Sequence, residues 1–167
     1  MAMTRPAPAC PRRRCWGRRW IASLGSPVPG GYSLVYLVYN TISNLLTQPE
    51  QVACFRNAAR HLTPGGRFVI ELWVPELRKL PPGQQAVAWQ SGPGRIGLDT
   101  YDVLRKHIVS HHFWFDESRQ ARLFRSPHRY IWPSELDLMA QLAGFELETR
   151  HAVYRILARH SAPGSHS

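Results

Sequence analysis

From Tyr32 onward the chain alternates short apolar runs with polar, turn-forming stretches. Leu34-Val35-Tyr36-Leu37-Val38 is continuously apolar, the pattern of a strand buried on both faces of a parallel sheet. "NTISN" at 40–44 breaks the run with small polar residues. Thr47 can then cap a helix, with Glu50 three residues on and Pro49 in the first turn. The spacing predicts a helix over about 48–61, with Val52, Phe55, Ala59 and Leu62 on its buried face. "LTPGG" at 62–66 ends it, and "RFVIELWV" at 67–74 predicts a second buried strand. Strand, helix and strand with short joints form a βαβ unit, which implies a right-handed crossover and a parallel pair.

Residues 75–107 are rich in Pro and Gly, and "LPPGQQ" and "SGPGRIG" predict loops there. "HIVSHHFWF" at 107–115 and "ARLFRSPHRYIW" at 121–132 predict two strands joined by the polar turn "DESRQ", a hairpin. Pro133 and Ser134 open a helix over 133–144 with Leu136, Met139, Ala140 and Ala143 as its stripe and Gly144 as its stop. "FELETRHAVY" at 145–154 alternates and predicts another strand.

The 167 residues suffice for one domain with a real core, and 44% hydrophobic with 11% aromatic content is globular. No apolar run approaches the length of a membrane helix. The net charge of +10 points to nucleic acid until it is located. Residues 1–31 carry six Arg and no acid, whereas the remainder holds 15 basic against 11 acidic groups. Of the 21 basic residues 19 are Arg, a skew that suits a GC-rich genome better than a phosphate-binding need. "RRRCWGRRW" could stack Trp16 and Trp20 on bases, but the segment has no hydrophobic period and reads as a disordered leader. It lacks the apolar stretch of a secretory signal. Cys10, Cys15 and Cys54 form no disulfide or zinc framework and suit a reducing cytoplasm. The chain therefore divides into an Arg/Pro-rich leader at 1–31, a domain at 32–157 and a disordered tail at 158–167.

In order, "YSLVYLVYNTISNLL", "PEQVACFRNAARHLTPGGRFVIELWVP" and "WPSELDLMAQLAGFELETR" resemble the C-terminal half of a class I S-adenosylmethionine-dependent methyltransferase. The pieces are similar to that fold's fourth strand and loop, its next helix and fifth strand, and its late helix and sixth strand. The resemblance implies an α/β fold, a partial Rossmann-like sheet with the antiparallel β-hairpin inserted. It also implies methyl transfer from S-adenosylmethionine to a nucleophile, with a small molecule as acceptor and no membrane partner. In an open parallel sheet the cleft lies beyond the carboxyl ends of the strands. On that basis Val38, Tyr39, Asn40 and Thr41 flank the cofactor with Asn44 nearby; the alternative is that Asn40 and Asn44 only close a turn. Glu71 and Trp73, ending the fifth strand, would line the acceptor side. If the hairpin caps the cleft, His111, His112, Trp114 or Tyr130 could touch the acceptor or serve as its base. The competing reading makes the aromatics core and the histidines surface. His107, His111, His112 and His128 have no acid or Cys at ligand spacing beside them, so no metal site is expected.

The family's G-x-G-x-G loop and the acid that binds the ribose hydroxyls have no counterpart here, and Ser33 stands where the fourth strand usually begins with Asp. The leader then reads as an out-of-frame or misplaced start joined to the true frame near Gly30–Tyr32. Besides nucleic-acid binding through the Arg/Trp leader, two readings follow: a methyltransferase whose activity suffers from the missing loop, or a non-enzymatic remnant that acts as an interaction module. In either, the strand at 32–38 has lost its neighbour and leaves an apolar sheet edge open to self-association.

Overall fold

The computed structural model describes residues 31–75, 77–151 and 155–160. The leader at 1–30 and the last residues, 161–167, lie outside the described residues. Strand β1 (Tyr32–Leu37) leads through a 3₁₀ turn (Thr41–Asn44) into helix α1 (Gln48–His61) and strand β2 (Leu62–Glu71). β1 and β2 pair in parallel, as the βαβ pattern predicts. The start of α1 is a full capping box: Thr47 Oγ1 accepts from the Glu50 amide at 3.3 Å, and Glu50 Oε2 accepts from the Thr47 amide at 3.0 Å.

A second segment follows. Strands β3 (Ala86–Gly92), β4 (Arg95–Asp102), β5 (His107–Phe115) and β6 (Ala121–Arg129) form an antiparallel sheet in simple sequential order. The hairpin predicted at 107–132 is thus half of a larger sheet, and the loop predicted at 75–107 needs correcting. Within "SGPGRIG" only Pro93 and Gly94 form the tight turn of the β3–β4 hairpin, with Gly94 at φ 73°. The glycines that argued for a loop only punctuate two short, half-exposed strands.

The chain returns through helix α2 (Pro133–Leu142), strand β7 (Phe145–His151) and strand β8 (Arg155–His160). Gly144, at φ 77°, supplies the left-handed residue that stops α2. β8 lies between β2 and β7, antiparallel to both, and gives the first sheet the order β1-β2-β8-β7. It ends at His160.

The core sits between this sheet and the two helices. Phe55 of α1 packs edge-on against Phe68 of β2 at 5.3 Å between centroids, and Phe145 of β7 completes the cluster at 5.5 Å from Phe68. Ile42, Ile70, Ile131, Leu136 and Met139 close it with at most 2% exposure. Leu136, Met139 and Ala140 of the predicted α2 stripe are buried, as are Phe55 and Leu62 of the α1 face. Among the described residues β1 stands at the sheet edge: Val35 and Leu37 pack on the core, while Tyr32, Leu34 and Tyr36 are exposed.

Candidate functional site

The site begins where β1 ends. Tyr39 and Asn40 both take left-handed conformations, at φ 54° and 56°, and reverse the chain into the 3₁₀ turn. Asn tolerates this region better than most residues, and its short side chain can hold the turn. Asn40 Oδ1 accepts from Ser43 Oγ at 2.6 Å and from the Trp73 amide at 3.2 Å, and its own amide donates to the Glu71 carbonyl at 3.1 Å. One side chain thus ties the lip after β1 to the segment after β2. Thr41 Oγ1 donates to the Val38 carbonyl at 2.5 Å, and Asn44 Nδ2 donates to the Thr41 carbonyl at 3.1 Å. The Glu71 carboxylate accepts from the Tyr39 amide at 3.4 Å.

Above this lip lies a cavity of about 480 Å³. Its floor is Asn40, Ser43, Trp73, Val74, Pro75 and Lys79. Its roof is one face of the second sheet: Val87 and Trp89, Asp99 and Tyr101, Ile108 and Ser110, and finally His128 with Tyr130 just beyond β6. The alternation of strand side chains explains the selection, because Tyr101, Ile108 and His128 share one rung of the ladder and Asp99, Ser110 and Ser126 the next. A bulge between Ala88 and Gln90 leaves Trp89 as the extra residue of β3, and its Nε1 donates to Asp99 Oδ1 at 3.0 Å.

Of the residues singled out from sequence, Asn40, Trp73 and Tyr130 line this cavity. Val38, Tyr39, Thr41 and Asn44 build the lip without lining the cavity, and Glu71 braces it from behind through Tyr39. The cavity face of β5 carries Ser110, so its neighbour His111 points to the opposite face, where Nε2 and Thr100 Oγ1 share a hydrogen bond of 3.0 Å. His112 is on the cavity face but one rung beyond it, among rings: Trp89 edge-on at 5.2 Å, Trp114 stacked at 5.6 Å and Phe124 at 5.8 Å. Trp114 also carries the Arg95 guanidinium 5.5 Å from its ring centre. Among the described residues no group of His, Cys, Asp and Glu is placed to hold a metal ion.

The residues missed from sequence come from the segment that reads as loop, above all Trp89, Asp99 and Tyr101, and from β6, where His128 reads from sequence only as a metal-ligand candidate. Alternation at Gly97, Asp99, Tyr101 was the available signal. His128 Nε2 is 2.9 Å from Ser126 Oγ, while its Nδ1 is buried with no hydrogen-bond partner. Burial pushes the His128 pKa below that of a free imidazole, and burial with the Arg95 charge does the same to His112. Tyr130 is displaced upward, by burial first and the Asp102 charge second, and its Oη donates to the Val103 carbonyl at 3.3 Å. The cavity is therefore lined by aromatic rings, aliphatic groups and small polar side chains, with the Asp99 carboxylate in its roof and Lys79 at its floor.

No protein-family model and no curated protein sequence matches the chain. Solved structures do. The CcbJ methyltransferase from Streptomyces caelestis is 28% identical, with a TM-score of 0.70 over 87% of this chain and 69% of its own. SAM-bound CalS10, an amino pentose methyltransferase from Micromonospora echinaspora, is 17% identical, with a TM-score of 0.63 over 83% of this chain and 62% of its own. DesVI of Streptomyces venezuelae is 18% identical, with a TM-score of 0.57 and the same coverage. The chain spans about three-fifths to two-thirds of the length of these structures. With its parallel β1–β2 pair, the antiparallel β8 beside it and a cavity at the strands' carboxyl ends, the chain has the class I S-adenosylmethionine-dependent methyltransferase fold.

Proposed function

We propose that the chain serves S-adenosylmethionine-dependent methyl transfer to a small molecule, with the roofed cavity as the acceptor chamber. One observation carries this reading: the cavity opens beyond the carboxyl ends of two parallel strands, where open α/β sheets bind their ligands, and a second sheet covers it. The similarity to CcbJ, and to CalS10 with its bound cofactor, supports it.

The residues fit one side of the cofactor. The lip at Val38–Thr41, with Asn44 behind it, would flank it with backbone groups and the Asn40 amide, while Glu71 is held by the Tyr39 amide. When bound, the cofactor supplies a sulfonium-activated methyl carbon. This chain's own part is to hold the acceptor in line with that carbon in a space the second sheet shields from water. Trp73 and Tyr130 would pack against the acceptor, with Trp114 and His112 at the rim. As the acceptor nitrogen or oxygen attacks, its proton must leave, and the neutral His128 imidazole is the ring on the cavity wall able to take it. His111 faces away from the cavity, out of reach of an acceptor held there.

Calorimetric titration of the purified chain with S-adenosylmethionine and S-adenosylhomocysteine tests the proposal. Saturable heat at or below millimolar ligand, lost in Asn40→Ala, is the expected result. No heat would overturn it and leave the second reading, an interaction module acting through the β1 edge. That alternative has its own support in the exposed Tyr32, Leu34 and Tyr36 on a strand paired on one side among the described residues. It expects concentration-dependent self-association on gel filtration, reduced by Leu34→Lys. No helix among the described residues is long and apolar enough to cross a membrane; the cytoplasm is the compartment we propose.

A further inference from the structure

Helix α1 buries a glutamine completely. Gln51, in the first turn of the helix, has 0% exposure. Its Nε2 donates to the Leu45 carbonyl at 3.0 Å and the Arg129 carbonyl at 3.2 Å, with a longer contact to the Ile42 carbonyl at 3.4 Å. These carbonyls belong to two different structures: the turn that follows the lip, and the last residue of β6 in the roof. The same side chain also accepts, at Oε1, from Arg129 Nη1 at 2.5 Å.

The connection continues from there. Arg129 Nη2 donates to Glu135 Oε1 at 2.6 Å, which also accepts from Gln48 Nε2 at 2.7 Å. Glu135 Oε2 accepts from Lys106 Nζ at 2.7 Å. Beside them His107 Nε2 donates to the Leu46 carbonyl at 3.0 Å. Lys106, His107 and Arg129 all lie at one end of the roof sheet, and each makes a polar contact with α1, α2 or the loop before α1. The side chains of Arg129 and Glu135 are only 8% and 9% exposed. Buried polar and charged groups of this kind are tolerable only while their partners remain in place. Lifting the roof or shifting the lip would strand at least one of them.

We propose that Gln51 and Arg129 are positioning residues that couple the roof sheet to the lip and set the distance between them. Where the lip is the cofactor side and the roof the acceptor side, that distance decides whether a nucleophile lines up; this functional consequence rests on the methyltransferase reading. Displacements of order 1 Å are enough to slow such a reaction about a hundredfold. The coupling itself stands on the hydrogen bonds alone.

Amide hydrogen exchange tests it. Gln51→Glu keeps an acceptor for Arg129 but loses the amide donor to the lip carbonyls; Glu135→Gln keeps the shape and removes the charge that holds Arg129. Exchange at Ser43 and Leu45 in the lip is expected to rise about tenfold in both variants, with Val69 in the middle of β2 unchanged. In parallel, S-adenosylhomocysteine affinity is expected to fall about fivefold or more, while Arg105→Ala in the exposed Arg105–Asp102 pair alters neither quantity. Lip exchange equal to wild type would overturn the proposal. So would Val69 accelerating in proportion, which would mean general loss of stability. If Gln51→Glu does not fold, Glu135→Gln decides. If the wild-type chain binds no S-adenosylhomocysteine, the methyltransferase reading falls while the exchange result still decides the coupling.

Discussion

Substituting Gly97 by Ala would place a methyl group against the wall of the cavity. A Cβ built on Gly97 lies 2.4 Å from Trp89 Cζ2 and 2.6 Å from its Cε2 and Cη2, too close for any real side chain. The backbone of Gly97 is not left-handed, so alanine is allowed there and by itself should add about 0.5–1 kcal/mol through lower chain entropy and better strand fit. The indole must move to make room, and at 45% exposure it can swing outward. Doing so breaks the Nε1 bond to Asp99, worth about 1 kcal/mol at this partly exposed site. It also costs about 0.5–1.5 kcal/mol in an off-rotamer χ angle and about 0.5 kcal/mol in the edge contact with His112. The displacement terms win, and Gly97→Ala is expected to destabilise by about 1–2.5 kcal/mol. Urea denaturation followed by far-ultraviolet circular dichroism measures this without depending on Trp89 emission. The sign should reverse in a Trp89→Ala background, where Gly97→Ala has nothing to displace and should stabilise by about 0.5–1 kcal/mol. Equal destabilisation in both backgrounds would refute the reasoning, because the cost would then lie in the backbone of β4.

Acid should weaken the fold in two steps. Burial holds His112 and His128 below the free value of 6.5, so the unfolded chain binds their protons more readily than the folded one. Their contribution is present above pH 6.5 and lost as the pH falls through the folded values, which a declining urea midpoint would show and His128→Gln would blunt. Burial alone would raise Glu135, but the hydrogen bonds and charges of Lys106 and Arg129 hold it below its usual 4.5, so a second loss is expected beneath that pH. Cys54 is buried in the core with its thiol pushed up to about 12. Peptide mass mapping should find it unalkylated by iodoacetamide at about pH 8 in the folded chain and labelled in urea.

What the sequence determined by itself was element type wherever apolar runs are long or periodic. The βαβ unit at 32–71, the capping box at Thr47–Glu50, α2 with its Gly144 stop and the β5–β6 hairpin all follow from patterns within one element. The lip was legible for the same reason, since small polar residues mark the turn that ends an apolar strand, although that strand proves half-exposed at the sheet edge rather than buried on both faces. β3 and β4 were not, because half-exposed strands broken by Gly and Pro look locally like loop. Only the tertiary structure decided which face of each strand looks into the cavity. Register sends His111 away, His112 into an aromatic nest and His128 to the wall, though all three lie on neighbouring strands. The bond between Gln51 and Arg129 joins positions 78 residues apart, each of which alone reads as an ordinary polar residue. Local sequence encodes how a segment buries its own apolar face. Which polar groups meet in the interior depends on how the sheets and helices stack, because a buried donor is satisfied by whatever acceptor packing brings within reach.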